Sequence, residues 1–143
     1  MVGYMNARAE DTTGKTADVG WEVGVRKTVD VALPTVWQYL IGPGVGLWLG
    51  ETTLPREKKA AYETRDGVSG TIISYTENQR VRLSWHPSDW PHATTLQLTV
   101  KEAATGTTIA IHHEQLADRD ERRMMLGHWK NVVDDLVRGV ELL

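Results

Sequence analysis

The chain contains no cysteine and no phenylalanine. Without cysteine there can be no disulfide, no thiolate metal site and no thiol nucleophile. Long hydrophobic runs are missing too. Nothing approaches the roughly 20 apolar residues of a membrane span, and residues 1–20 hold no apolar stretch of the signal-peptide kind. The third absence is a basic cluster: 16 Lys and Arg are interspersed with 19 Asp and Glu, for a formal charge of -3. A nucleic-acid footprint would need a basic face, and none is present. These absences lead us to expect a soluble, cytoplasmic protein with neither nucleic acid nor membrane as a partner.

The chain has enough hydrophobic residues to build a core. With 143 residues, 41% hydrophobic and 24% charged, it has the composition of one globular domain with a sizeable core. Trp takes the place of Phe, at positions 21, 37, 48, 85, 90 and 129. An indole brings a large apolar area together with an N–H donor that wants a partner when buried. Most of the six read as core, and some as the lining of a cavity.

The most regular segment is the last. From Asp118 to Leu143 the residues Met125, Trp129, Val132, Val133, Leu136, Val140 and Leu143 recur at steps of three and four, which draws one apolar stripe along a helix. Asp118 with Glu121 three residues on reads as its capping box. Upstream, Trp21, Val23, Val25, Val29 and Val31 alternate with polar residues, and Lys27 alone interrupts the apolar face of this first strand. Pro34 opens a short helix carrying Val36, Trp37, Leu40 and Ile41, and Gly42-Pro43-Gly44 ends it. A second short helix holds Trp48. Five strands follow: around 60–64, then Gly70 to Tyr75, Val81 to Trp85, Thr94 to Val100 and Thr107 to Glu114. Asp66-Gly67 supplies one of the turns. Residues 1–19 lack either period and read as a loosely docked N-terminal arm, leaving 20–143 as the single domain. Within the arm Gly14-Lys15-Thr16 looks like the end of a phosphate-binding loop, but Ala9 stands where that motif needs Gly.

This order of elements resembles the helix-grip fold of the START/SRPBCC superfamily, an α+β architecture in which a curved antiparallel sheet wraps a long C-terminal helix. It is most similar to the branch named after the activator of heat-shock-protein-90 ATPase. The resemblance runs through Val36-Trp37, Trp48, the hairpin Gly70-Thr71-Ile72 to Ser84-Trp85, the segment Gly106 to Glu114, and Trp129 with Leu136. Where the helix signature often has Gly, this chain has His128. The resemblance implies a deep, largely apolar cavity between sheet and helix, of the kind relatives use for lipids, hormones, polyketide intermediates or aromatic compounds. It carries over no catalytic residue set and no cofactor.

The residues themselves offer little catalytic chemistry. His112 and His113 are adjacent on a strand, so they face opposite sides and cannot share a metal ion. No serine sits in a Gly-x-Ser-x-Gly elbow. Strand phase puts His113 toward the pocket and His112 and Glu114 outward. Asp134 has Arg138 four residues on, a surface pair. Gly127 inside the helix costs about 1 kcal/mol relative to Ala, which reads as close approach to the sheet or a short helix, with clearance at a cavity mouth as the alternative.

The expected pocket wall comprises Tyr62, Ile73, Leu83, Trp85, Leu96, Leu98, Ile109, Ile111 and His113 from the sheet. Met125, Trp129, Val132, Val133 and Leu136 come from the helix, with Trp37 and Trp48 as a lid. The expected function is binding of a small hydrophobic or aromatic molecule, without catalytic or metal residues. Two alternatives stand beside it: a partner of the heat-shock-protein-90 chaperone, and a cavity enzyme of cyclase, dehydratase or hydrolase type. Edge strands and an exposed Trp90 offer a surface for homodimerisation.

Overall fold

A computed structural model describes residues 15–16 and 20–143. The rest of the expected arm lies outside the described residues. Lys15–Thr16 form a two-residue strand, β1, followed by β2 (Gly20–Val29), α1 (Leu33–Ile41) and α2 (Val45–Trp48). Strands β3 (Ala61–Glu63), β4 (Val68–Thr76), β5 (Arg80–Pro87), β6 (Thr94–Ala103) and β7 (Gly106–Leu116) then lead into α3 (Arg119–Glu141). All pairings are antiparallel, in the order β1-β2-β7-β6-β5-β4-β3. The long C-terminal helix lies across the curved sheet, with its main contacts on β2, β7 and α2.

Each helix begins where its side chains permit. Pro34 occupies the first turn of α1, where a missing N–H costs nothing. At α3 the Asp118 carboxylate accepts from the Glu121 N–H at 2.8 Å, while the Glu121 carboxylate accepts from the Ala117 N–H at 2.9 Å. Asp120 and Glu121 also complement the positive end of the helix dipole. The stripe of α3 is buried at Met125, Trp129, Val132, Val133, Leu136 and Val140, whereas Leu143, expected to continue it, lies beyond the helix and is exposed.

Polar ties hold this helix in register. Arg122 Nε donates to the Glu22 carbonyl at 2.7 Å, fixing the first turns of α3 to β2. Lys27, the one charge on the inward face of β2, forms an ion pair with Asp134 of α3 and holds that carboxyl below its usual pKa range. Asp134 is therefore bound to the strand. Arg138 pairs instead with Asp135, three residues before it on the helix, which corrects the expected Asp134–Arg138 pair.

Other corrections come from strand phase. Ile73 lies on the outer side at 37% exposure, and Ile72 takes the inward place. The pairing of β4 with β5 shifts between Ile72 and Ser74, so the alternation is reset at a bulge. Glu114, expected in solvent, is 9% exposed and accepts from Arg82 Nη2 at 2.6 Å. Next to it Gln115 adopts a positive φ of 66°, which breaks the simple two-residue period. Trp90 is half-buried and packs edge-to-face on Trp85 at 5.3 Å between ring centres.

The glycine that does admit a close neighbour is Gly139, where a Cβ would run into the Tyr39 hydroxyl. At Gly127 a Cβ would meet nothing within 4 Å, so the expected tight packing there is not the reason for the glycine. Gly127→Ala should therefore recover the helix propensity of about 1 kcal/mol and raise the melting temperature by about 2–4 °C. Gly70→Ala would drive its Cβ into the Ser84 carbonyl across the β4–β5 pair and should lower it. Calorimetric melting of the two variants against the parent checks both signs.

Candidate ligand recess and the buried histidine

The layer between α3 and the sheet is occupied by protein side chains. Trp37, Leu83, Leu96, Leu98, Ile109, Ile111, His113, Trp129, Val133 and Leu136 lie there essentially without solvent contact, and Trp48, Tyr62, Trp85, Met125 and Val132 are buried beside them. Fifteen of the sixteen residues expected to line the pocket, all but Ile73, are thus buried together. They form the interior itself rather than the wall of a wide empty chamber.

At its centre is a chain of hydrogen bonds. Trp129 Nε1–H donates to His113 Nδ1 at 3.0 Å. An indole N–H can only donate, so Nδ1 carries the lone pair and Nε2 carries the proton. Nε2 then donates to the Thr94 hydroxyl at 2.8 Å, and that hydroxyl donates to the Trp85 carbonyl at 2.7 Å. Both imidazole nitrogens are thereby used. Burial, followed by the neighbouring His128, His112 and His92, pushes the His113 pKa down to about 3. The ring is a neutral tie between α3 and the sheet, and Thr94, which the sequence reading did not single out, completes it.

Around this chain the aromatic rings meet edge to face. Trp85 contacts His113, Trp129 and Trp90 at ring-centre distances of 4.9, 6.0 and 5.3 Å. His128 lies 4.5 Å from the Trp129 ring. The Trp85 Nε1–H is buried and has no hydrogen-bond partner among the described residues, a deficit worth about 1–3 kcal/mol.

Where this cluster reaches the surface, a recess of about 210 Å³ opens. Gly46, Leu47, Trp48, Leu49 and Gly50 from α2 and the turn after it form one side. Asp66 and Val68 from the β3–β4 turn, Trp85 from β5 and His128 from α3 complete it. Trp48 is fixed by its Nε1–H to the Leu40 carbonyl at 2.8 Å, so α2 is locked to α1. Burial lowers the His128 pKa, which keeps this imidazole uncharged at neutral pH. Of the expected site residues, the recess brings together Trp48 and Trp85. His128, Asp66 and Leu47 were not anticipated there. The signal for His128 was present in the sequence, since it replaces the small residue that usually precedes the helix Trp.

No group of three or more His, Asp or Glu among the described residues is placed to hold a metal ion. No helix of the described residues is long and apolar enough to cross a membrane.

A long helix held by a curved antiparallel sheet, with two short helices between the first long strand and the meander, is the helix-grip arrangement of START/SRPBCC proteins. The chain belongs to the family described as activator of Hsp90 ATPase homolog 1-like protein, whose model matches residues 49–141. No curated protein sequence matches it. Among solved structures it is similar to DynU16, a protein in the dynemicin biosynthetic locus, with 20% identity and a TM-score of 0.73 over 84% of this chain and 47% of that one. CalU16 from Micromonospora echinospora superposes with 18% identity and a TM-score of 0.72, covering 83% and 73% of the two chains. MLL2253 from Mesorhizobium loti gives 15% identity and a TM-score of 0.67, covering 82% and 94%. The chain thus spans about half the length of DynU16. At these identities the likeness concerns the fold.

The histidine tie has a consequence for acid stability. The unfolded chain protonates His113 near its ordinary 6.5, the folded chain only near about 3. Between those values the unfolded state binds the extra proton, so stability falls as the pH drops from 6.5 toward 3. The slope for one proton is about 1.4 kcal/mol per pH unit, and above 6.5 the whole contribution is present. His113→Gln keeps an acceptor and a donor but cannot titrate. Urea unfolding from pH 7 to pH 4 should show the variant losing stability with a slope about one proton shallower than the parent.

Proposed function

We propose that the protein binds a small apolar molecule, presenting an aromatic ring to the recess where Trp48 and Trp85 meet His128. The observation that carries this reading is the recess itself, walled by the Trp48 and Trp85 rings with His128 beside them. A small-molecule site is in general an apolar concavity with a few convergent polar groups, and these residues have that composition. At about 210 Å³ the recess is smaller than the roughly 300–1,000 Å³ of drug-sized sites. It suits one ring, or the end of a longer molecule whose remainder stays outside. An aromatic ring entering here could meet the Trp85 and Trp48 rings edge to face. DynU16 belongs to a biosynthetic locus, which is compatible with a small-molecule ligand for this chain too. The alternative of a chaperone partner has the family's name behind it and no surface feature of its own.

Binding is favoured over catalysis because His113, the buried histidine, has both nitrogens committed to Trp129 and Thr94. Native mass spectrometry and solvent extraction of freshly purified protein should reveal a co-purifying aromatic or unsaturated compound. Calorimetric titration with ring-sized aromatics should give saturable binding. Leu47 stands at the rim, 42% exposed, so Leu47→Gln should weaken binding at least threefold with little change in melting temperature. If nothing co-purifies and no aromatic binds, the proposal fails.

A further inference from the structure

We propose that the recess selects uncharged aromatics bearing a hydroxyl or carbonyl oxygen and turns away their carboxylate counterparts. This rests on the ligand-binding reading above and specifies the chemistry of the ligand. Three observations support it. The recess lining includes one carboxylate, Asp66, and no Lys or Arg. The neighbouring cation, Arg65, is already paired with Glu51 at 3.0 Å. The imidazole in the wall, His128, is kept uncharged at neutral pH by its burial.

An anionic ligand would therefore meet the Asp66 carboxylate and find no counter-charge in the lining. A neutral oxygen has a different balance. As a phenolic donor it matches the Asp66 carboxylate in the lining. His128 has a ring contact with Trp129 and no hydrogen-bond partner among the described residues, so it adds a further neutral donor or acceptor at the same wall. The set is polar enough to orient one oxygen and lacks the cation that would hold an acid.

The test compares 1-naphthol with 1-naphthoate, two rings of the same size that differ in charge, by isothermal titration calorimetry at pH 7.5. Naphthol should bind at least tenfold more tightly. Asp66→Asn preserves the turn, because Asn-Gly suits it as well as Asp-Gly, and should bring naphthoate to within about threefold of naphthol. In a ¹⁵N-labelled sample the indole N–H resonance assigned to Trp85, by its loss in Trp85→Phe, should shift on adding naphthol. Naphthoate binding as tightly as naphthol would overturn the selectivity while leaving ligand binding standing. A gap unchanged by Asp66→Asn, or a Trp85 resonance that does not move, would overturn it as well. If neither ring binds, the ligand reading itself falls.

Discussion

One hydrogen bond organises the interior: the Trp129 indole N–H donating to His113 across the gap between helix and sheet. Hydrophobic contact alone would let α3 slide or rotate, since it rewards area and has no direction. A buried donor facing a buried acceptor has direction, and neither group can be left alone without the penalty for an unsatisfied polar atom. The bond fixes the helix at one residue and the sheet at another. Thr94 and the Trp85 carbonyl then pass the constraint from β7 through β6 to β5. Arg122 to the Glu22 carbonyl and Lys27 to Asp134 add ties along the same helix nearer the surface.

Two of the six tryptophans make hydrogen bonds that phenylalanine, absent from this chain, could not. Phe could fill the volume at 129 or 48, but it could not donate to His113 or to the Leu40 carbonyl. These rings are also large enough to take up the layer that the helix-grip fold can leave hollow. Beside that filled layer a recess remains where Trp48 and Trp85 approach the surface near His128. A buried histidine with both nitrogens engaged holds the fold together. The chemistry available to a ligand belongs to the recess, where Asp66 and His128 are found.

Much of this was legible in the sequence because periodicity reports burial directly. The stripe from Met125 to Val140, the Asp118–Glu121 box, Pro34, the Asp66-Gly67 turn and the order of five strands all follow from local rules. Errors arose where a local rule is interrupted. At Ile73 a bulge resets the strand phase, so the inward residue is Ile72. Glu114 keeps its outward phase beside His112, but a carboxylate expected in water is covered and paired with Arg82. Lys27 looked like a flaw in an apolar face because its partner, Asp134, lies more than a hundred residues away. The Trp129–His113 bond has the same character. Each residue could be placed on a buried face from spacing alone, but their meeting depends on how helix and sheet dock. The recess lay furthest from view, since its wall draws on α2, a turn, a strand and α3.

Two glycines of α3 show how the fold closes one end and leaves the other open. They stand twelve positions apart, roughly 18 Å along the helix at 1.5 Å per residue. At Gly139 the missing side chain admits the Tyr39 hydroxyl, so α1 seals against the C-terminal turns. At Gly127 the missing side chain admits no protein atom. A residue that costs a helix stability and gains no contact in return points to a demand other than packing. Gly127 immediately precedes His128, and across from that turn of α3 is α2, whose own Gly46 is equally bare. Helix geometry thus gives Gly139 a packing role that Gly127 does not share.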